Sequence, residues 1–191
     1  MNLKELILKN RSYRRFFQNH TIEKEDLVEL VNLARLSPSG ANNQPLKYML
    51  SYTSEMNNDI FQHLFWAGYL KDWNGPEEGE RPSGYIVMLC DKNISQNSGC
   101  DHGIAAQSIL LGATELGLGG CILGSIKREE LKKSLNISDH FDIQLVIALG
   151  KPKEKVVIDS INDTVDIKYW RDGDIHHVPK RSLEEIIVTE K

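Results

Sequence analysis

Four short stretches of this 191-residue chain carry side chains that could do chemistry. RSYRRF, from Arg11 to Phe16, sets Arg11, Arg14 and Arg15 within six residues, interleaved with Ser12 and two aromatics. If the stretch is extended, alternation sends Ser12, Arg14 and Phe16 to one side and Arg11, Tyr13 and Arg15 to the other, so cations face both ways. A solvated basic surface would need no such polar and aromatic neighbours, which leaves an anion site as the alternative. SPSGANNQP, from Ser37 to Pro45, is dense in turn formers and amides; it is either a connecting loop or a source of polar ligand contacts from Ser39, Asn42, Asn43 and Gln44. In ELGLGGCILGSI a β-like run from Cys121 to Leu123 ends at Gly124 and Ser125, whose small side chains leave backbone N–H groups open to a ligand. In VPKRSLEEI, Lys180 and Arg181 precede Ser182, which can cap a helix. They either bind an anion there or merely flank a terminal helix.

Other chemistries lack their residues. No GxxxxGK[ST] or GxSxG is present, and no serine or cysteine pairs convincingly with a histidine and a carboxylate. The glycines at 117, 119 and 124 follow a helix instead of joining strand to helix, so they are not a dinucleotide fingerprint. Cys100 and His102 would be half a metal site, but no second pair accompanies them, and no metal is expected. A reaction carried by a bound cofactor needs none of these side chains.

Composition narrows the partners. With 40% hydrophobic residues the chain can bury one sizeable core, so residues 1–191 read as a single domain. A net charge of −4 argues against nucleic acid and membrane surfaces as partners. The start, MNLKELILKN, is too charged for a signal peptide, and no run approaches the roughly 18 apolar residues of a membrane span. Three cysteines without CxxC spacing fit reduced thiols, so a cytoplasmic protein is expected.

The elements that must position these stretches can be read from periodicity. Leu3, Leu6 and Ile7 suit a short amphipathic helix. Thr21 can cap a second helix whose Leu27, Leu30, Val31 and Ala34 follow helical spacing, and Pro38 stops it. Tyr48 to Tyr52 reads as a strand, and Met56, Ile60, Phe61, Leu64 and Phe65 as one helical face. Lys71 to Ser83 has no periodicity and reads as a lid or surface excursion. Trp66, Tyr69 and Trp73 nearby either cover a flat ligand or belong to the core. Tyr85 to Cys90 is a central strand. Gly103 to Leu118 is a helix whose polar residues Gln107, Ser108, Thr114 and Glu115 form one stripe, so it is buried on nearly all sides. Gly117, Gly119 and Gly120 are expected to turn the chain with positive φ. A short charged helix from Lys127 to Leu135, a β-prone run from Phe141 to Leu149, a strand at Val156 to Ile158 and a hairpin about Asp172-Gly173 follow. Adjacent His176 and His177 cannot share a strand face, which argues against a paired metal site.

Taken in order and spacing, RSYRRF, SPSGANNQP, ELGLGGCILGSI and VPKRSLEEI resemble the nitroreductase family of flavin mononucleotide (FMN) enzymes. The resemblance implies an α+β fold with a mixed, mainly antiparallel central sheet flanked by helices. It also implies an intertwined homodimer with flavin at the subunit interface, the helix from Gly103 lying at or near that boundary. Carried over residue by residue, Arg11, Ser12 and Arg14 resemble the first flavin segment, with Arg11 and Arg15 both open for the phosphate. Pro38, Ser39, Gly40 and Asn42 resemble the loop laid down by the partner subunit. Leu123, Gly124 and Ser125 resemble the segment whose backbone faces flavin N5, and Lys180 and Arg181 the C-terminal phosphate ligands. Asn10 and Leu46 stand where many members have arginine and tryptophan.

The resemblance further implies a ping-pong oxidoreductase in which bound FMN takes hydride from NADH or NADPH and reduces a small electron-poor acceptor, such as a nitroaromatic or quinone. No side chain need be an obligate catalytic acid. The alternatives are a non-catalytic flavin-binding protein, or a flavin enzyme of the same fold that fragments flavin or removes halogens.

Overall fold

The computed structural model describes residues 1–161 and 166–188. Its centre is β3 (Gly84–Asp91), GYIVMLCD, buried except at Asp91. Seven successive buried residues mean that both faces of this strand are covered, and the two faces belong to two cores. Ile86 and Met88 join Ile147 and Leu149 beneath α2 (Lys24–Arg35) and α4 (Asp101–Glu115). Tyr85, Val87 and Leu89 join Val146 and Ala148 on the opposite face, beside α3 (Ser54–Phe61) and α5 (Arg128–Ser134).

β3 pairs antiparallel with β2 (Leu46–Ser51) on one side and with β5 (Phe141–Pro152) on the other. The far edge of β5 is long enough to hold two partners: β4 (Gly119–Leu123) against Val146 to Gly150, and β1 (Phe16–Phe17) against Lys151 and Pro152. The large sheet is therefore antiparallel throughout. Parallel strand pairing is found in a small second sheet, where β6 (Lys155–Ser160) runs parallel to β8 (Ile175–Lys180) and β7 (Trp170–Asp172) turns back on β8 through Gly173. A single parallel bridge also joins Ser12 to Gly120.

The helix from Asp101 is buried on its Ala105, Ala106, Ile109, Leu110 and Ala113 side, and packs on α2. Its other side is open within one chain, with Ile104 41% exposed. α1 (Leu3–Lys9), capped by Asn2, buries none of its residues. Short α6 (Leu183–Ile186) follows Ser182, whose hydroxyl accepts from Glu185 N at 3.3 Å.

Three local expectations change. The second helix starts at Lys24 and not after Thr21, because Glu23 and Asp26 form the reciprocal cap. The third ends at Phe61, since Leu64 is drawn into a bridge with Ile126 and Phe65 N donates to Ser125 O at 3.0 Å. Of Gly117, Gly119 and Gly120 only Gly117 has positive φ, at 75°. Gly119 and Gly120 are strand residues, and what they need is closeness. A Cβ on Gly120 would lie 2.6 Å from Leu110 Cδ2 and 2.7 Å from the Ala148 carbonyl oxygen.

Candidate functional site

Closeness on the other glycine of the pair helps seat the arginine segment. A Cβ on Gly119 would lie 2.5 Å from the Tyr13 ring, and Tyr13 N donates to Gly120 O at 3.0 Å beside the bridge from Ser12 to Gly120. The segment then runs into β1, so Arg11, Ser12 and Arg14 are held against the edge of the large sheet. β8 brings the other chain end to the same place. Arg11, Ser12, Arg14 and Lys180 line one cavity of about 290 Å³, together with Gln107 of α4, Ile122 of β4, Tyr169 and His176.

The electrostatics of this cavity are one-sided: among the described residues three cations line it and no carboxylate does. Arg11 is partly committed, its Nε donating to Asn10 O at 2.6 Å and Nη2 to Ile7 O at 2.8 Å, which closes the end of α1. Arg14 is aimed by its neighbours. Its Nη1 donates to Ser12 O at 3.2 Å and lies 3.1 Å from His176 Nε2, while Tyr169 covers the guanidinium at 4.9 Å. Because arginine can only donate, His176 Nε2 must accept, and the ring proton sits on Nδ1. Neither that Nδ1 nor Arg14 Nε has a partner among the described residues, although both are buried. Burial first, then the charge of Arg14, lowers the His176 pKa to about 4, so the ring is neutral near pH 7.

Below the cavity Glu154, 5% exposed, binds both chain ends at once. Its Oε1 accepts from Arg14 N at 2.5 Å and Arg15 N at 3.2 Å, and its Oε2 from Arg171 Nη2 at 2.8 Å. Arg171 in turn lies 4.5 Å over Trp73, which ties the segment from Lys71 to Ser83 to the second sheet.

Not every expected residue reaches the cavity. Arg15 turns away, pairing with Glu80 at 2.5 Å and Asp174 at 2.7 Å, and Lys153 adds a bond to Glu80 at 2.8 Å. The hydrogen bond from Arg15 holds the Glu80 carboxyl down to about 2, and the same bond raises Arg15. Of these two arginines left open for a phosphate, Arg11 lines the cavity and Arg15 does not. Arg181 also lies outside, paired with Glu185 within one helical turn.

Pro38, Ser39 and Gly40 sit elsewhere in the chain, around Asp101 at the start of α4. There Ser39 Oγ donates to Asp101 Oδ2 at 2.6 Å and Gly40 N to Oδ1 at 2.9 Å. Pro38 and Ser39 line two adjoining depressions of about 220 and 520 Å³, and Gly40 and Ile104 border the second. Asn42 takes positive φ, at 55°, in the turn that follows and lines neither. Leu123 is the buried last residue of β4; Gly124 O accepts from Arg128 and Ser125 O from Phe65 N. These three residues do not line the Arg14 cavity, although their neighbour Ile122 does.

Gln107, Tyr169, His176 and Glu154 were not picked out as site residues from sequence. Gln107 did carry a signal, as a polar residue on an otherwise apolar helix. Glu154, between Lys153 and Lys155, reads as an ordinary solvated charge.

Comparison with known proteins adds an independent measure. The family model described as the nitroreductase family matches residues 7–74 and 92–151. The match covers the first three stretches and stops before Lys180. A proposed NADH dehydrogenase/NAD(P)H nitroreductase of Archaeoglobus fulgidus is 28% identical, over 79% of this chain and 86% of its own. An iodotyrosine deiodinase of Thermotoga neapolitana is 23% identical, over 80% and 89% respectively. The crystal structure of a nitroreductase family protein from Streptococcus pneumoniae superposes with a TM-score of 0.71 at 17% identity, covering 99% of this chain and 100% of that one. No helix among the described residues is long and apolar enough to cross a membrane.

Proposed function

Because the chain belongs to the nitroreductase family, we propose that it is an FMN-dependent oxidoreductase drawing on NADH or NADPH to reduce a small electron-poor acceptor, a nitroaromatic or a quinone. The observation that carries this reading is the cavity lined by Arg11, Arg14 and Lys180 without a carboxylate. A flavin phosphate bears close to two negative charges, and a set of donors from both chain ends satisfies it with charge-assisted hydrogen bonds. The unpartnered Arg14 Nε and His176 Nδ1–H are donors in want of acceptors, which also fits a phosphate or the polar edge of a flavin.

In this reading Arg11, Ser12, Arg14 and Lys180 hold the phosphate and polar chain. The backbone at Leu123, Gly124 and Ser125 offers N–H groups to the ring edge. Bound FMN supplies hydride acceptance and return. The protein binds it, orients it and covers it; Arg14, kept in place by Ser12 O, His176 and Tyr169, puts a fixed positive charge where negative charge develops on reduction. The loop of Pro38, Ser39, Gly40 and Asn42 completes the site from a second copy of the chain, since in its own chain it lies around Asp101, apart from Arg14. The open side of α4 at Ile104 and the exposed Leu3, Ile7 and Leu8 of α1 give such a homodimer apolar surface to bury.

Protein purified as a yellow homodimer that bleaches anaerobically with NADH or NADPH, and is reoxidised by a nitroaromatic or quinone, is the expected result. Colourless protein that cannot be reconstituted with FMN would end the proposal. Reductive dehalogenation is the second reading, suggested by the name of the Thermotoga relative. Iodinated phenols in the acceptor panel separate the two.

A further inference from the structure

A second polar cavity, of about 190 Å³, lies away from the Arg14 site. It is bounded by the turn after β1, by α3 and by the start of β3. Three buried polar atoms of its lining have no hydrogen-bond partner among the described residues: Arg81 Nε, Ser83 Oγ and Tyr85 Oη. Tyr85 is fully buried and Ser83 is 9% exposed, so bulk water does not serve them. All three can donate, and a buried donor without an acceptor is destabilising.

The charges around the cavity decide what would complete it. Among the described residues Arg81 is the one charged side chain in the lining apart from the imidazole of His20, and no carboxylate is among them. Glu78 meets Arg81 from outside, at Nη1, 3.0 Å away and itself largely solvated, which leaves the Nε edge unsatisfied. The guanidinium carbon lies 4.3 Å from the centroid of the Phe61 ring. Its backbone N donates at 3.2 Å to Gln18 Oε1, which also takes Gly79 N at 2.7 Å. Asn57 does not compete, because its side chain is already spent on Ser51 and on Ser83 O.

We propose that this cavity is a binding site for a small carboxylate, its oxygens taking the Arg81, Ser83 and Tyr85 donors and its short apolar part resting on Phe61 and Ile22. A planar oxyanion meets a guanidinium edge and hydroxyl donors better than water does, and it also balances the charge. The segment pinned by Gln18 and Arg81 is the end of the stretch from Lys71 to Ser83, so an occupied site also steadies that stretch. The assignment does not depend on the redox reading.

The test uses the purified protein with whatever it retains, titrated with acetate, benzoate and inorganic phosphate at constant ionic strength, by calorimetry and by thermal unfolding. Saturable carboxylate binding near about 1 mM, with a rise in Tm, is expected. Tyr85→Phe and Arg81→Gln should each raise Kd about tenfold while flavin absorbance stays unchanged. If Arg81→Gln does not fold, Tyr85→Phe, which removes only an unpartnered oxygen, carries the test. Phosphate binding without carboxylate binding overturns the assignment. So does carboxylate binding that displaces flavin or ignores both substitutions. A Tyr85→Phe protein that is more stable and binds as before would show a hydrated void instead of a site.

Discussion

Replacing Glu154 perturbs both chain ends through one side chain. Its carboxylate accepts from Arg14 N at 2.5 Å, Arg15 N at 3.2 Å and Arg171 Nη2 at 2.8 Å. Glu154→Ala strands two backbone donors and one guanidinium in a place that is 5% exposed, and should cost about 3–5 kcal/mol, the range for breaking a buried ion pair from one side. Glu154→Gln keeps an oxygen for the two backbone donors but turns an amide NH2 toward Arg171. It should cost about 1.5–3 kcal/mol, the range for a hydrogen bond to a charged group. Urea unfolding at matched protein concentration measures the stability order, parent above Gln above Ala. A flavin titration should follow the same order, because Arg14 loses its backbone anchor. If both variants fall within about 0.5 kcal/mol of the parent, or if Ala is no worse than Gln, the claim that Glu154 assembles the site is refuted.

The remaining expectations concern charge, pH and packing. Lys180→Ala should weaken FMN affinity about tenfold or more in a fluorescence titration, whereas Arg181→Ala, which removes a group outside the cavity, should stay within about twofold. His176 has its folded pKa lowered from 6.5 to about 4, so its stabilising contribution is complete above pH 6.5 and lost as pH falls toward 4. His176→Gln should flatten urea midpoints over that interval. Glu80, lowered from 4.5 to about 2 chiefly by its bond from Arg15, contributes in full above pH 4.5 and loses this as pH falls toward 2. Glu80→Gln should abolish that lower step and leave the upper one, as acid unfolding followed by circular dichroism would register. Gly120→Ala, with its new methyl 2.6 Å from Leu110 Cδ2 and 2.7 Å from the Ala148 backbone oxygen, should cost about 1–3 kcal/mol; an unchanged Tm would remove the packing argument.

Much of the fold is legible in the sequence because the signals are local. The run from Gly84 is apolar without interruption and becomes the doubly covered strand; the Ala- and Gly-rich stretch from Gly103 becomes the helix packed on α2; Asp172-Gly173 becomes the turn between β7 and β8. Local signals failed where a distant partner decided. Leu64 and Phe65 fit the periodicity of the preceding helix, yet Ile126 and Ser125 offered them strand-like pairing. Gly119 and Gly120 looked like turn residues, and their smallness serves contact with Tyr13, Leu110 and Ala148 instead.

The candidate site divides in the same way. That cations gather at residues 11–15 and 180–181 of an acidic chain is a property of the sequence alone. Which of those cations faces a ligand is not. Arg14 and Arg15 are neighbours of one type, and only the placement of Glu80 and Asp174 beside one, and of His176 and Tyr169 beside the other, separates an ion-paired surface arginine from one held in a cavity. Residue type and spacing determine what charge a chain can bring to a place. The acids and rings that neutralise or aim each charge come from segments more than sixty residues away in sequence, so that choice belongs to the tertiary structure.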